Sequence, residues 1–259
     1  DSPIRYQASA KDIGHVFGLA FDAPPAPGGA APTLYAAATS AFGLQIMGAD
    51  GNGDGKRDRI RKGAAGAMFM PGQFGGIPGA GPGTIYKIDG TSGAIGVFTN
   101  VATGGAPNPG PGIGGIAVAP ASRTLYASDL DTGLIHAYSI ADGGKEIDTF
   151  DHGVNGRPVN KTKALPDNGR RMDITSPEFD STRPETWGYT QSERRIDALS
   201  VHDGRLYYAV AEGPQIWSLA LTPDGKFNGA PRLETGVASE EGFPVAGIAF
   251  DADGHTIVA

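Results

Sequence analysis

The sequence predicts an all-β fold made of short antiparallel sheets that repeat along the chain, and three observations carry that reading. One phrase, apolar-x-small-apolar-small-apolar, opens four stretches: Val16-Phe-Gly18-Leu-Ala-Phe21, Ile113-Gly-Gly115-Ile-Ala-Val118, Ile196-Asp-Ala198-Leu-Ser-Val201 and Val245-Ala-Gly247-Ile-Ala-Phe250. Each is followed by a turn and a second strand: Thr33-Leu-Tyr-Ala-Ala, Thr124-Leu-Tyr-Ala-Ser, Arg205-Leu-Tyr-Tyr-Ala and Thr256-Ile-Val-Ala. The first three copies then continue through a third strand, a Gly- or Asp-bearing turn and a fourth strand. Self-similarity in a fixed order marks a repeat architecture.

The third strands read Ile85-Tyr-Lys-Ile88, Ile135-His-Ala-Tyr138 and Ile216-Trp-Ser-Leu219. Fourth strands are expected at Ile95-Gly-Val-Phe98 and Ile147-Asp-Thr-Phe150, with a weaker one around Pro231-Arg-Leu233. Between them lie turns such as Asp89-Gly-Thr-Ser-Gly93 and Thr222-Pro-Asp-Gly225, where Gly and Asp supply the backbone conformations a tight reversal needs. Four short antiparallel strands per repeat describe the blade of a β-propeller. His136 holds the place of Tyr86 and Trp217, so it is expected to pack rather than to bind a ligand.

Composition sets bounds on function. The chain has 259 residues and a formal charge of −7, which argues against a basic phosphate-binding face and hence against a nucleic-acid partner. Cysteine is absent, so disulfides, thiol catalysis and thiolate metal sites are excluded. No apolar run approaches a membrane span. The single domain, 1–259, is expected to be the N-terminal part of a longer protein, because three blades and half of a fourth do not close a ring. Pro3-Ile-Arg-Tyr-Gln7 is the candidate closing strand, with completion by further domains or by a second chain as the alternative.

The four phrases begin at Val16, Ile113, Ile196 and Val245. The last spacing suits a plain blade of roughly 40 to 50 residues. The first two are much longer, which places insertions at about 43–83 and 152–194. In an up-and-down blade the connection from strand two to three and the exit from strand four emerge on one side. Both insertions therefore decorate the same face, where binding loops gather on a rigid scaffold.

The first insertion contains Asp50-Gly-Asn52-Gly-Asp54-Gly55-Lys56-Arg57-Asp58. Oxygen ligands at positions 1, 3, 5 and 9, with Gly at 6 and a backbone carbonyl from Lys56, follow the spacing of a calcium loop. These nine residues resemble the EF-hand-like loops of exported bacterial proteins. The usual acidic twelfth position is Arg61 here, so a carboxylate from elsewhere or water would complete the shell. The alternative is a solvated Gly/Asp turn. Downstream, Met68, Phe69 and Phe74 sit in a Gly-rich run, and Trp187 and Tyr189 in the polar second insertion. These five are candidate partner-binding residues for a protein or glycan, or else pins that hold long loops to their scaffold.

Carboxylates near the expected channel mouth form a second candidate site: Asp197, Glu193 and Asp12, with His15, Glu240 and Glu241 close by in sequence. No nucleophile elbow, zinc-binding helix or phosphate loop is present. The phrase Leu125-Tyr-Ala-Ser-Asp129 followed by Gly133-Leu-Ile-His-Ala-Tyr138 resembles blades of six-bladed propellers of the NHL and gluconolactonase-like type. That resemblance implies a divalent cation held by Glu, Asn and Asp near inner-strand ends. At the second position of the four inner strands this chain has Phe17, Gly114, Asp197 and Ala246, of which only Asp197 is a ligand type. The expected function is a calcium-stabilised, extracellular or periplasmic binding module, more a scaffold than an enzyme. The alternatives are a metal-dependent lactonase or esterase-like hydrolase with a channel site, and a segment of a larger adhesin.

Overall fold

A computed structural model describes residues 6–23, 31–239 and 243–259. It shows three complete four-stranded antiparallel blades, each with its strands in sequence order. Blade 1 comprises Val16–Phe21, Leu34–Ala38, Thr84–Ile88 and Ile95–Asn100; blade 2, Ile113–Ala119, Thr124–Asp129, Leu134–Ser139 and Lys145–Asp151; blade 3, Ile196–His202, Arg205–Val210, Gln215–Leu221 and Phe227–Gly236. The hairpin Ile248–Phe250 and Thr256–Val258 begins a fourth. The chain is thus a β-propeller of four-stranded blades. Of the expected closing strand, residues 3–5 lie outside the described residues, and Tyr6 and Gln7 form no strand. The Tyr6 hydroxyl instead donates to the Thr91 carbonyl on a turn of blade 1.

The repeated phrase has a physical explanation. In each complete blade the inner strand slips register just after its first residue: between Val16 and Leu19, between Ile113 and Ile116, and between Ile196 and Ala198. A bulge of this kind bends the strand and re-aims the side chain it carries. Beside the bulge, consecutive inner strands almost touch. A Cβ on Gly18 would lie 2.9 Å from the backbone nitrogen of Ile116, and one on Gly115 would lie 2.6 Å from that of Leu199. The small third residue is therefore dictated by the next blade.

Between the blades, alternate residues of facing sheets make the cores. Tyr35, Ala37 and Ile85 pack against Ile113, Ile116 and Leu125. Tyr126, Ile135 and Phe150 pack against Leu199, Tyr208 and Trp217. His136 is 1% exposed and pairs with Ala127 as Tyr86 does with Ala36, so it occupies the interior position expected for it. One strand is stronger than its sequence indicates. The fourth strand of blade 3 runs ten residues, because Pro231 falls at a register slip where no ladder N–H is required of it.

The two insertions form one body on one face. Three two-residue strands (Ile46–Met47, Arg59–Ile60 and Met68–Phe69) make a small sheet in the first. The second bonds to it directly: Gly63 N donates to Phe179 O (3.0 Å), Ser181 N to Arg61 O (2.9 Å), and Arg61 Nε pairs with Asp180 Oδ1 at 2.9 Å. Hydrogen bonds from Arg61 and Thr182 hold the Asp180 carboxyl far below the usual carboxylate range. Leu44, Ile46, Phe74, Met172, Phe179 and Trp187 bury together against Ala36 and Tyr86. The outward face of blade 1 is thereby covered by loops. Among the described residues no helix is long and apolar enough to cross a membrane.

A buried clasp fastens the second insertion to blade 2. Arg171 Nε reaches Asp131 Oδ2 at 3.1 Å and also pairs with Asp167. Asp131 Oδ1 is buried with no partner among the described residues. Burial first, then the neighbouring Asp129 carboxylate, push the Asp131 carboxyl up to about 7 against the pull of Arg171.

Two outcomes are expected. Gly115→Ala should lower unfolding free energy by about 1–3 kcal/mol through overpacking. Gly247→Ala, whose new Cβ would meet only the Ala259 side chain at 3.8 Å, should change it by less than about 0.5 kcal/mol; urea titration compares the two. For Asp131, the folded protein keeps a proton to about pH 7 that the unfolded chain loses near about pH 4. Stability should therefore fall as pH rises through that window, and Asp131→Asn should flatten that part of the profile.

Candidate active site at the channel mouth

The inner strands start on the insertion-bearing face, so their bulges lie beneath the loops. In blade 3 the bulged position is Asp197, where blades 1 and 2 have Phe17 and Gly114. The approach to this strand is held by Arg194, which is fully buried and donates to Leu165 O at 3.0 Å and Asp151 Oδ2 at 2.9 Å. With Arg194 turned inward, its neighbour Arg195 faces a cleft of about 600 Å³ that Asp197, Tyr189, Arg170 and Glu185 also line.

Within the cleft, Arg195 Nε lies 3.4 Å from Asp197 Oδ1. Asp197 Oδ2 is buried and has no hydrogen-bond partner among the described residues. Burial raises the Asp197 carboxyl above the usual range, and Arg195 offsets part of that rise. Such a carboxyl holds a proton more readily than a solvated one, and its free oxygen is a strong acceptor waiting for a donor. The guanidinium of Arg195 lies 5.7 Å from the centre of the Tyr189 ring. Tyr189 in turn bonds Ser40 Oγ at 2.6 Å, and Ser40 Oγ donates to Pro111 O at 2.7 Å. Since the serine hydrogen is used on Pro111, Tyr189 is the donor to Ser40. Arg170 Nη2 donates to Glu185 O at 2.7 Å.

The other candidate residues lie elsewhere. Asp12 caps the short helix Ala10–Ile13, accepting from Ser9 N at 2.9 Å and Ser9 Oγ at 2.7 Å, and those bonds lower its carboxyl. Glu193 bonds Ser192 Oγ at 3.2 Å; neither residue lines the cleft. Glu240 and Glu241 lie outside the described residues. Of the five residues offered to a partner, Met68 is exposed and Phe69 half-buried, while Phe74 and Trp187 are interior. Trp187 Nε1 donates to Asp180 O at 2.9 Å, which makes it a pin for its loop. Tyr189 is half-buried, with its hydroxyl committed to Ser40.

The Asp50 loop is an exposed hairpin turn. Asp50 accepts from Gly53 N (2.7 Å) and Gly55 N (2.8 Å), which lowers its carboxyl. Asn52 accepts from Asp54 N, Asp54 from Lys56 N, and Asp58 from Gly51 N. Among the described residues, the one group of three His, Asp or Glu side chains with ligand atoms within 4.8 Å of one another is Asp251, Asp253 and His255, on the exposed turn of the last hairpin. Sequence reasoning had not singled it out. Asp197 and Glu185 are the two carboxylates among the residues that line the cleft. Asp197 supplies one ligand, and Phe17, Gly114 and Ala246 supply no side-chain donor at the matching positions.

Arg195, Arg170 and Ser40 were also missed from the sequence. The doublet Arg194-Arg195 directly before an inner strand was the available signal, since the other copies of the phrase have no such pair.

No protein-family model matches the chain, and no curated protein matches it. Among solved structures it is similar to the computationally designed Ika4 protein, at 11% identity over 95% of this chain and 91% of that one, with a TM-score of 0.40. It is similar to the periplasmic gluconolactonase of Pseudomonas aeruginosa, at 14% identity over 83% of this chain and 46% of that one, TM-score 0.39. A gluconolactonase of Xanthomonas campestris matches at 15% identity, 85% and 62% coverage, and a TM-score of 0.34. The chain spans about half the length of the Pseudomonas protein. At such TM-scores these likenesses say nothing of activity, and the propeller assignment rests on the strand order and register of the chain itself.

Proposed function

We propose that the cleft at the channel mouth is a small-molecule site, and that its chemistry is hydrolysis of an ester or lactone. The observation behind this reading is the mostly buried Asp197 side chain, which lines the cleft beside Arg195 and carries one interior oxygen, Oδ2, without a partner among the described residues. A water held in the cleft at the Asp197 carboxylate is activated as Asp197 takes its proton while the water oxygen attacks the substrate carbonyl. The oxyanion so formed is stabilised by the Arg195 guanidinium, with Arg170 as a second cation on the cleft wall. As the carbon–oxygen bond breaks, Asp197 returns the proton to the departing alkoxide.

The reading of a calcium-ordered binding module has less behind it. Phe74 and Trp187 are interior, and Asp50, Asp54 and Asp58 do not bring three carboxylate oxygens within 4.8 Å of one another. Its support is the ligand spacing of Asp50, Asn52, Asp54 and Asp58, and the exposed Met68 on the insertion face.

A panel of aryl esters and aliphatic lactones tests the hydrolase. Turnover by the unmodified chain should fall by about 10²–10⁴ in Asp197→Asn. Its kcat/KM should rise with pH as Asp197 loses its proton, along a limb above the ordinary carboxylate range. Absence of turnover across the panel, or turnover unchanged in Asp197→Asn, would overturn the assignment.

A further inference from the structure

We propose that Tyr189 is a positioning residue: anchored through its hydroxyl to Ser40, its ring holds the Arg195 guanidinium beside Asp197, so that the charge pairing in the cleft depends on the seating of the second insertion. The proposal concerns the site assigned above, but its readout is a titration, so it stands or falls separately from turnover.

The contacts run as one chain through four parts of the fold. Pro111, on the segment between blades 1 and 2, accepts from Ser40, which follows the second strand of blade 1. Ser40 accepts from Tyr189 at the end of the second insertion. The Tyr189 ring faces Arg195, and Arg195 reaches Asp197 on the inner strand of blade 3. A guanidinium over an aromatic face gains attraction and loses rotational freedom, so the ring fixes where that positive charge sits. The side chain of Arg195 is one quarter exposed, which leaves it room to swing into solvent once the ring is gone.

The charged groups around Asp197 are few. Arg195 comes from its own strand, and Arg170 and Glu185 come from the second insertion on the cleft wall. Arg195 alone is within ion-pair distance. Losing it from its place removes the main favourable partner of the Asp197 carboxylate and leaves the burial penalty acting unopposed. The phenol hydroxyl acts one step further away. Tyr189→Phe keeps the ring and gives up the anchor, while Tyr189→Leu gives up both.

The test is a carbon-13 titration of the Asp197 carboxyl, assigned through Asp197→Asn, in the unmodified chain and in four variants. Arg195→Met and Tyr189→Leu should both move the Asp197 titration to higher pH. Tyr189→Phe and Ser40→Ala, which each remove the anchoring hydrogen bond and keep the ring, should both move it in the direction of Tyr189→Leu by a smaller amount. If Tyr189→Leu fails to fold, Ser40→Ala and Tyr189→Phe, each against the unmodified chain, carry the comparison. An upward shift in Arg195→Met with none in the Tyr189 and Ser40 variants would overturn the positioning role. No shift in any variant would overturn it too, by removing Arg195 as the partner of Asp197.

Discussion

Consecutive inner strands of this propeller approach so closely that the third residue of each must be small, and the rest of the structure depends on that constraint. At Gly18 and Gly115 a single methyl group would run into the backbone of the neighbouring blade. The close approach coincides with a bulge repeated at the same point in three blades. Together they fix the spacing of the sheets, and hence the interdigitation of Tyr35, Tyr126 and Trp217 with their neighbours. The same bulge decides where the adjoining side chain points. In blade 3 that side chain is Asp197, and the functional site follows from the packing rule.

The insertions complete the site. Apolar residues in the two loops bury against each other and against blade 1, while the Arg61–Asp180 pair and short backbone bonds register one loop on the other. The second insertion then returns towards blade 3 through Tyr189 and Arg195, which brings an aromatic ring and a cation to the cleft. The roof thus supplies what the blade lacks. Asp197 is mostly buried beside these loops, and it lines the cavity that they leave.

Much of the fold was legible in the sequence because its determinants are local. Period-two alternation, Asp-Gly turns and the repeated small residue mark strands at places such as Thr124–Asp129 and Leu134–Ser139. The insertion-bearing face followed from connectivity alone. The strand Phe227–Gly236 was underestimated, since a proline looks disruptive until a register slip accommodates it. The site was less legible, because it joins residues distant in sequence. Asp197 was recognisable by its position in the phrase, whereas Ser40, Tyr189 and Arg195 meet only once both insertions are seated. Phe74 and Trp187 looked available to a partner because the sequence does not show that one loop covers the other.

The most direct measurement of this account is the titration of the Asp197 carboxyl in the unmodified protein, with exposed Asp50 as an internal reference. The account predicts that Asp197 titrates above the ordinary carboxylate range while Asp50 titrates below it. An Asp197 that titrates with the solvated carboxylates would contradict the account, because burial would then not be raising it above them.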